Sequence, residues 1–267
     1  MTKLKLFLPP QTTNLNCHIG NWINNNLVEI QEYHCPYNLI WINSPNNILL
    51  WGADGLHDGH GNNLNNIKCN YKITMNEIIP GTIPSFYWSR DENKLMEFIE
   101  NNKYLDYSQR KQNTIFLGSI KDNYQGKFRK TYDWSKYIDE FSCPSWNGED
   151  KNYKYDQNGY YQALSHTRFG LCLRGGGPKC WRDIEYMALG TVLIVTDGVD
   201  TDGYHNPLVE NIHYIKVTKP QDIQTKINAI SEEKWNIMST ECQKWYNNNC
   251  RFDASIRVLE DICSSLY

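Results

Sequence analysis

Two clusters in this chain have residue types and spacing suited to chemistry. The first is the turn Arg174-Gly175-Gly176-Gly177-Pro178-Lys179, followed by Arg182 and Glu185. Glycine takes positive φ without steric cost and admits a ligand close to the backbone, so amides of such a turn, and of the helix behind it, can point at an anion. Arg174, Lys179 and Arg182 add full charges to the partial positive charge of that helix's N-terminus. The chemistry this predicts is the holding of a diphosphate. On a helix starting near Lys179, Arg182 and Glu185 share a face, while Ile184, Met187 and Ala188 form the buried stripe. Glu185 can then accept hydrogen bonds from ribose hydroxyls, or pair with Arg182 at the surface for a few tenths of a kcal/mol.

The second cluster is WGADGLHDGHG, residues 51–61, which places Asp54, His57, Asp58 and His60 in seven residues spaced by glycines. Asp58 and Asp54 lead as a general base, with His57 and His60 as alternatives or as contacts to an acceptor. The same four have ligand-like spacing, and a metal-activated water would make the site hydrolytic. The plainer role is an Asx-rich turn whose carboxylates cap backbone amides. A third feature, Asp200-Thr201-Asp202, has the D-x-D form that holds Mn²⁺ against a diphosphate. The cations of the glycine turn already supply positive charge, so metal dependence is not expected.

Strands must place both clusters. Residues 4–8, 38–43, 47–51, 71–75 and 85–88 read as short strands bounded by turn-forming residues, and 92–101 as a helix. The polar segment 102–113, with Lys103, Arg110 and Lys111, reads as a linker to a strand at 114–117. Beyond it the pattern predicts helices at 133–141 and 160–165, strands at 169–173 and 191–196, and a strand-like stretch at 215–217. A helix begins at Pro220 with Ile223, Ile227 and Ile230 on one face, and a last helix at 253–266 buries Ile256, Leu259 and Ile262. Strands alternating with helices imply a parallel sheet, whose ligands bind beyond the carboxyl ends of its strands. The loops after Leu117, Leu173 and Val195 are therefore expected to converge on one crevice. The first brings Gly118 and Ser119, with Arg129 or Lys130 behind; the second brings the glycine turn. For Arg129 the plainer role is a solvated helix residue.

Composition narrows the classes. A chain of 267 residues holds one large domain or two smaller ones. Its net charge of −3, with no basic block, argues against a nucleic-acid groove. The nine cysteines are odd in number and lack a C-x-x-C pair, which reads as reduced thiols rather than a zinc framework. Apolar runs such as 48–51 and 192–195 fall far short of a membrane span. Exposed members of the 18 tyrosines and 9 tryptophans suit stacking on sugar rings.

The stretch from Ser165 to Asp197 resembles the donor-binding core of the exostosin-like glycosyltransferases, family 47 and its relatives. The matching residues are Ser165, Arg168, Phe169, Cys172, Leu173, Arg174 and Gly175, then Arg182, Glu185, Gly190, the apolar run 192–195 and Asp197. Asn206, Pro207 and Leu208, then His213, Tyr214, Ile215 and Val217, resemble the same family's closing elements, and the similarity covers residues 113–250. The chain departs from the family in its shortness and in lacking a Golgi-type anchor. With its asparagine runs at 24–26 and 247–249, it suits a compact member from a large DNA virus or a protist.

The resemblance implies an α/β fold of GT-B type, with two Rossmann-like domains facing a cleft. Residues 1–108 would form the acceptor-side domain, 109–250 the nucleotide-sugar domain, and 251–267 a helix crossing back to the first. It implies inverting transfer from a UDP-sugar, xylose favoured, to a saccharide hydroxyl, with the UDP-sugar as co-substrate; the cationic turn makes a metal or other cofactor unneeded, and the reduced thiols suit a cytoplasmic location. Gly118, Ser119, Arg129, Arg174, Gly175, Gly176, Gly177, Lys179 and Arg182 would hold the diphosphate and Glu185 the ribose. His213 and Tyr214 would lie near the donor base or sugar, and the general base would come from the 54–60 loop. Two readings from other classes stand beside this one: a metal-dependent hydrolase built on that loop, and a non-catalytic saccharide-binding protein.

Overall fold

The computed structural model describes residues 4–8, 28–32, 40–43, 48–51, 71–74, 83–84, 89, 91–120, 129–142, 154–175 and 177–265. The chain divides into two compact units, Met1–Glu92 with Asp200–Pro207 and Asn248–Tyr267, and Asn93–Val199 with Leu208–Asn247.

In the first unit the strands are β1 (Leu4–Leu8), β2 (Val28–Glu32), β3 (Ile40–Asn43), β4 (Ile48–Trp51), β5 (Tyr71–Thr74) and β6 (Ile83–Pro84), in the order β2-β1-β3-β4-β5-β6. β3 runs antiparallel to both β1 and β4, whereas β1–β2, β4–β5 and β5–β6 are parallel pairs. This mixed sheet departs from the parallel sheet of a Rossmann-like domain. The reason lies between β3 and β4: Ser44-Pro45-Asn46-Asn47 is too short for a parallel crossover, which takes about a dozen residues or more, so the two strands join as a hairpin. The expected strand at 85–88 and the whole 54–60 loop, with Asp54, His57, Asp58 and His60, lie outside the described residues.

The second unit contains β7 (Gln112–Leu117), β8 (Glu140–Ser142), β9 (Thr167–Cys172), β10 (Val192–Val195) and β11 (Tyr214–Lys216). Its helices are α1 (Glu92–Asn101, all but its first residue), α2 (Gln157–Ser165), α3 (Trp181–Ala188), α4 (Asp222–Asn228) and α5 (Glu232–Asn249, to Asn247). The five strands are parallel, in the order β8-β7-β9-β10-β11. Counted within the unit this is 2-1-3-4-5, a Rossmann-like α/β order that reverses between β7 and β9.

Side chains alternate across these strands, and both faces are apolar, as a parallel sheet covered by helices requires. Phe116, Phe169, Leu171, Val192, Ile194 and Ile215 share one core with Ile223 and Ile227 of α4 and Trp235 and Met238 of α5. Each such side chain contributes roughly 1.5–3 kcal/mol on burial. On the opposite face α3 packs so closely that a Cβ at Gly170 would lie 2.5 Å from the Tyr186 ring, whose hydroxyl donates to the Ile115 carbonyl at 3.1 Å.

Three expectations are corrected here. The helix expected over 133–141 is a single 3-10 turn, Ser135–Tyr137, followed by β8. Asp139 explains the change: its carboxylate accepts from the amides of Asn113 and Thr114 at 3.1 Å, and its amide donates to the Thr114 hydroxyl at 2.8 Å, which ties the segment to β7. Next, Arg110 of the supposed linker is 1% exposed. It donates to the carbonyls of Leu105, Thr167 and Leu189 and to the Thr191 hydroxyl, and its guanidinium carbon lies 4.8 Å from the Trp235 ring centre. Leu189 caps α3, so this cation meets the negative end of that helix. Finally, the sequence pattern does not predict α5, although Trp235, Met238, Cys242, Trp245 and Tyr246 recur at helical spacing and are buried.

The chain ends in α6 (Phe252–Ser265), part of the first unit; the side chains of Ile256, Leu259 and Ile262 lie outside the described set. Among the described residues no helix is long and apolar enough to cross a membrane.

Candidate functional site

The strand order reverses between β7 and β9, and in such sheets the loops beyond the carboxyl ends at that point form the crevice where ligands bind. Gly118 and Ser119 follow β7; Leu173, Arg174 and Gly175 follow β9. Two arginines knit these loops together. Arg182, in the first turn of α3, donates through Nη1 to the Leu117 carbonyl at 3.1 Å, and its guanidinium carbon lies 4.3 Å from the Phe116 ring centre. Arg129 donates through Nη1 to the Ser119 carbonyl at 2.6 Å and through Nε to the Arg174 carbonyl at 3.2 Å, while Nη2 stands 3.7 Å from Cys180 Sγ. Arg129 is thus a buried clasp between two loops, not a solvated helix residue.

The glycines have a reason other than the expected one. Positive φ occurs among the described glycines at Gly190 and Gly198, not at Gly175 or Gly177. A Cβ at Gly118 would collide with Arg182 Nη1, and one at Gly175 would stand 2.7 Å from Arg129 Nη2. The amide of Gly175 donates to the Gly177 carbonyl at 3.1 Å and is therefore turned inward. Cys180 is the N-cap of α3, so the helix begins at Trp181 and not at Lys179. Gly175, Gly177 and Lys179 are buried, Arg174 is half-buried with its stem 3.4 Å from the Cβ position of Gly198, and Gly176 lies outside the described residues.

Electrostatics sets this crevice apart. Arg182 is 7% exposed, and its Nε and Nη2 are buried with no hydrogen-bond partner among the described residues. Burial, and then Arg182 as a like charge, lower the pKa of Arg129. Asp183, beside Arg182 on α3, is 3% exposed, and neither of its oxygens has a hydrogen-bond partner among the described residues. Burial pushes its carboxyl up to about 6 against the pull of Arg182. The thiols of Cys172 and Cys180 are shifted upward by burial, which keeps them protonated and unreactive. Unpaired donors on a buried cation are costly, and an incoming anion removes that cost.

Glu185 is also buried, so the Arg182–Glu185 surface pair does not exist as such. Its carboxylate accepts from the Tyr160 hydroxyl of α2 at 2.6 Å. Asp183 and Tyr160 are site residues that sequence reasoning missed. The aspartate's signal is its place beside Arg182 in the first turn of α3; Tyr160 gives none, since only the packing of α2 on α3 brings it there.

His213 and Tyr214 are not brought to the crevice. They stand at the amino end of β11, which runs parallel to β10, and so at the opposite edge of the sheet. His213 Nδ1 accepts from the Val209 amide at 2.9 Å and closes a turn in which Asn211 has φ 63°. The D-x-D triplet is likewise a turn, Asp200 Oδ1 accepting from the amides of Asp202 and Gly203 at 3.0 and 2.7 Å. Among the described residues no group of three or more His, Cys, Asp or Glu is placed to hold a metal.

Fold and side chains together define a class: a parallel α/β unit with buried cations where its strand order reverses. Compared with protein-family models and with curated proteins, the chain matches none.

Proposed function

We propose that this protein is an inverting, metal-independent glycosyltransferase with a GT-B-like donor unit, which transfers a sugar from a UDP-sugar to a hydroxyl of a saccharide. The observation that carries the proposal is Arg182, a buried guanidinium with two nitrogens unpaired among the described residues, at the switch point of the sheet. In the reaction the acceptor oxygen bonds to the anomeric carbon as the bond from that carbon to the β-phosphate oxygen breaks. The electron pair leaves on UDP, and the acceptor's proton passes to a base. Arg182, together with Lys179 and Arg174, stabilises the diphosphate as its charge develops, and needs no reorganisation to do so. Arg129 spends its donors on Ser119 and Arg174 and keeps the two loops in register. Glu185, oriented by Tyr160, holds the ribose. The base is an acid of the 54–60 loop, Asp58 before Asp54, with His57 and His60 as alternatives.

Calorimetry with UDP tests the proposal. Loss of charge-assisted hydrogen bonds in Arg182→Ala is expected to weaken UDP binding by about ten- to a hundredfold. Unchanged affinity in a folded variant refutes the assignment. Asp58→Asn is expected to abolish turnover and spare UDP binding. Activity that survives exhaustive EDTA treatment would count against the metal-dependent hydrolase.

A further inference from the structure

The geometry points to Asp183 as the residue that balances charge in this crevice, by taking up a proton when a diphosphate binds and releasing it when the diphosphate leaves. The inference rests on the diphosphate reading of the crevice. Asp183 lies in the first turn of α3, 3% exposed, with both carboxylate oxygens unpaired among the described residues. The ionisable groups acting on it are Arg182 and Tyr186 from its own helix, Cys180 from the N-cap, Cys172 from the end of β9 and Arg129 from the residues after β7. Lys179 is buried next to Cys180.

Charge counting identifies which of these can respond. With the crevice empty, the guanidinium charges of Arg129 and Arg182 exceed the single charge of Asp183. A diphosphate brings about two or three negative charges, and a carboxylate forced to share its cations with them is driven toward its neutral form. The arginines cannot give up protons to the site, and they have no reason to, since the anion favours their charge. Cys172, Cys180 and Tyr186 are already protonated, each shifted upward by burial. That leaves Asp183. The Cys172 thiol and the Cys180 amide favour its ionised form only from beyond good hydrogen-bond geometry, whereas its protonated form loses less on burial and can itself donate. Burial has already lifted its carboxyl from 3.8 to about 6, which brings proton uptake within reach near neutral pH.

The sign follows from linkage. Binding that favours the protonated carboxyl weakens as pH rises above the free-state value, by up to about tenfold for each step of one in pH. Calorimetric titration of UDP near pH 7.5, in buffers of different ionisation enthalpy, measures the protons taken up. Comparison with Asp183→Asn cancels protons exchanged by the nucleotide itself. Wild type is expected to take up roughly half to one proton more than the variant, and to lose affinity with pH more steeply. Equal uptake, with UDP still bound, overturns this inference alone; no UDP binding to either protein overturns the diphosphate reading with it. If Asp183→Asn does not fold, difference infrared spectroscopy of a Glu185→Gln background decides. UDP binding must then produce a protonated-carboxyl band, and its absence overturns the inference.

Discussion

The guanidinium of Arg182 fills the space that a side chain at Gly118 would need. The glycine is therefore there for the arginine, and the two residues, on different elements, form one unit of the crevice. Gly118→Ala is expected to displace Arg182 at an overpacking cost of about 1–3 kcal/mol, read by urea denaturation. In an Arg182→Ala background the same substitution should cost much less. Additive costs in this double-mutant cycle would show that the two residues do not share the space.

Arg110 makes a second arginine-centred prediction, away from any ligand. Its donors serve the carbonyls of Leu105, Thr167 and Leu189, joining the approach to β7, the start of β9 and the end of α3. Arg110→Met would leave those acceptors buried without partners and is expected to cost about 3–5 kcal/mol, the range for breaking a buried charged network. A loss below about 1 kcal/mol, the level of an exposed ion pair, would place the residue at the surface.

How far the sequence reads through to these sites depends on where each signal is stored. Strands β7, β9 and β10 and helices α2 and α3 are legible because their apolar runs are local and end at glycine, proline or polar turns. Arg110 is not legible, because its neighbours Gln109 and Lys111 are exposed and nothing local says that the chain dips inward between them. α5 escapes because Asn, Ser and Thr dilute its propensity, and its stripe is built of Trp, Met, Cys and Tyr. The cations at 129, 174, 179 and 182 stand out by type, but their partners are set by topology. Only the β7–β9 reversal turns Arg129 into a clasp, and only the parallel pairing of β11 sends His213 to the opposite edge.

His213 predicts a pH dependence of stability. Burial lowers its pKa, partly offset by Glu241. A folded-state value below the ordinary 6.5 means that stability is present above that pH and is lost as pH falls through the folded value. His213→Asn retains an acceptor for the Val209 amide but cannot titrate. Thermal unfolding compared at about pH 7.5 and pH 5.5 should show wild type losing more stability than the variant. Parallel losses would remove His213 as the cause.

Asp183 predicts the opposite slope in the ligand-free protein. Its folded-state value, about 6, lies above the ordinary 3.8, so its contribution is intact below 3.8 and is lost as pH rises through 6. Above that range the penalty is constant and on the order of 3 kcal/mol, because a tenfold change in proton affinity corresponds to about 1.4 kcal/mol. The stability of Asp183→Asn relative to wild type should therefore climb between about pH 4 and pH 6 and then level off. A flat difference across that window would mean that the carboxyl is solvated.

Glu185 and Tyr160 provide the test of nucleoside recognition. The tyrosine hydroxyl donates to Glu185 Oε2 at 2.6 Å, which fixes the orientation of a carboxylate that is 3% exposed. A site built to hydrogen-bond a hydroxyl discriminates strongly against an analogue that lacks it, because the buried acceptor is left unpaired. Wild type is expected to bind UDP at least about tenfold more tightly than 2′,3′-dideoxy-UDP. Glu185→Ala should erase that preference, and Tyr160→Phe should reduce it without abolishing UDP binding. If wild type binds both nucleotides equally while Arg182→Ala binds neither, the crevice holds the diphosphate and Glu185 serves the packing of α2 against α3.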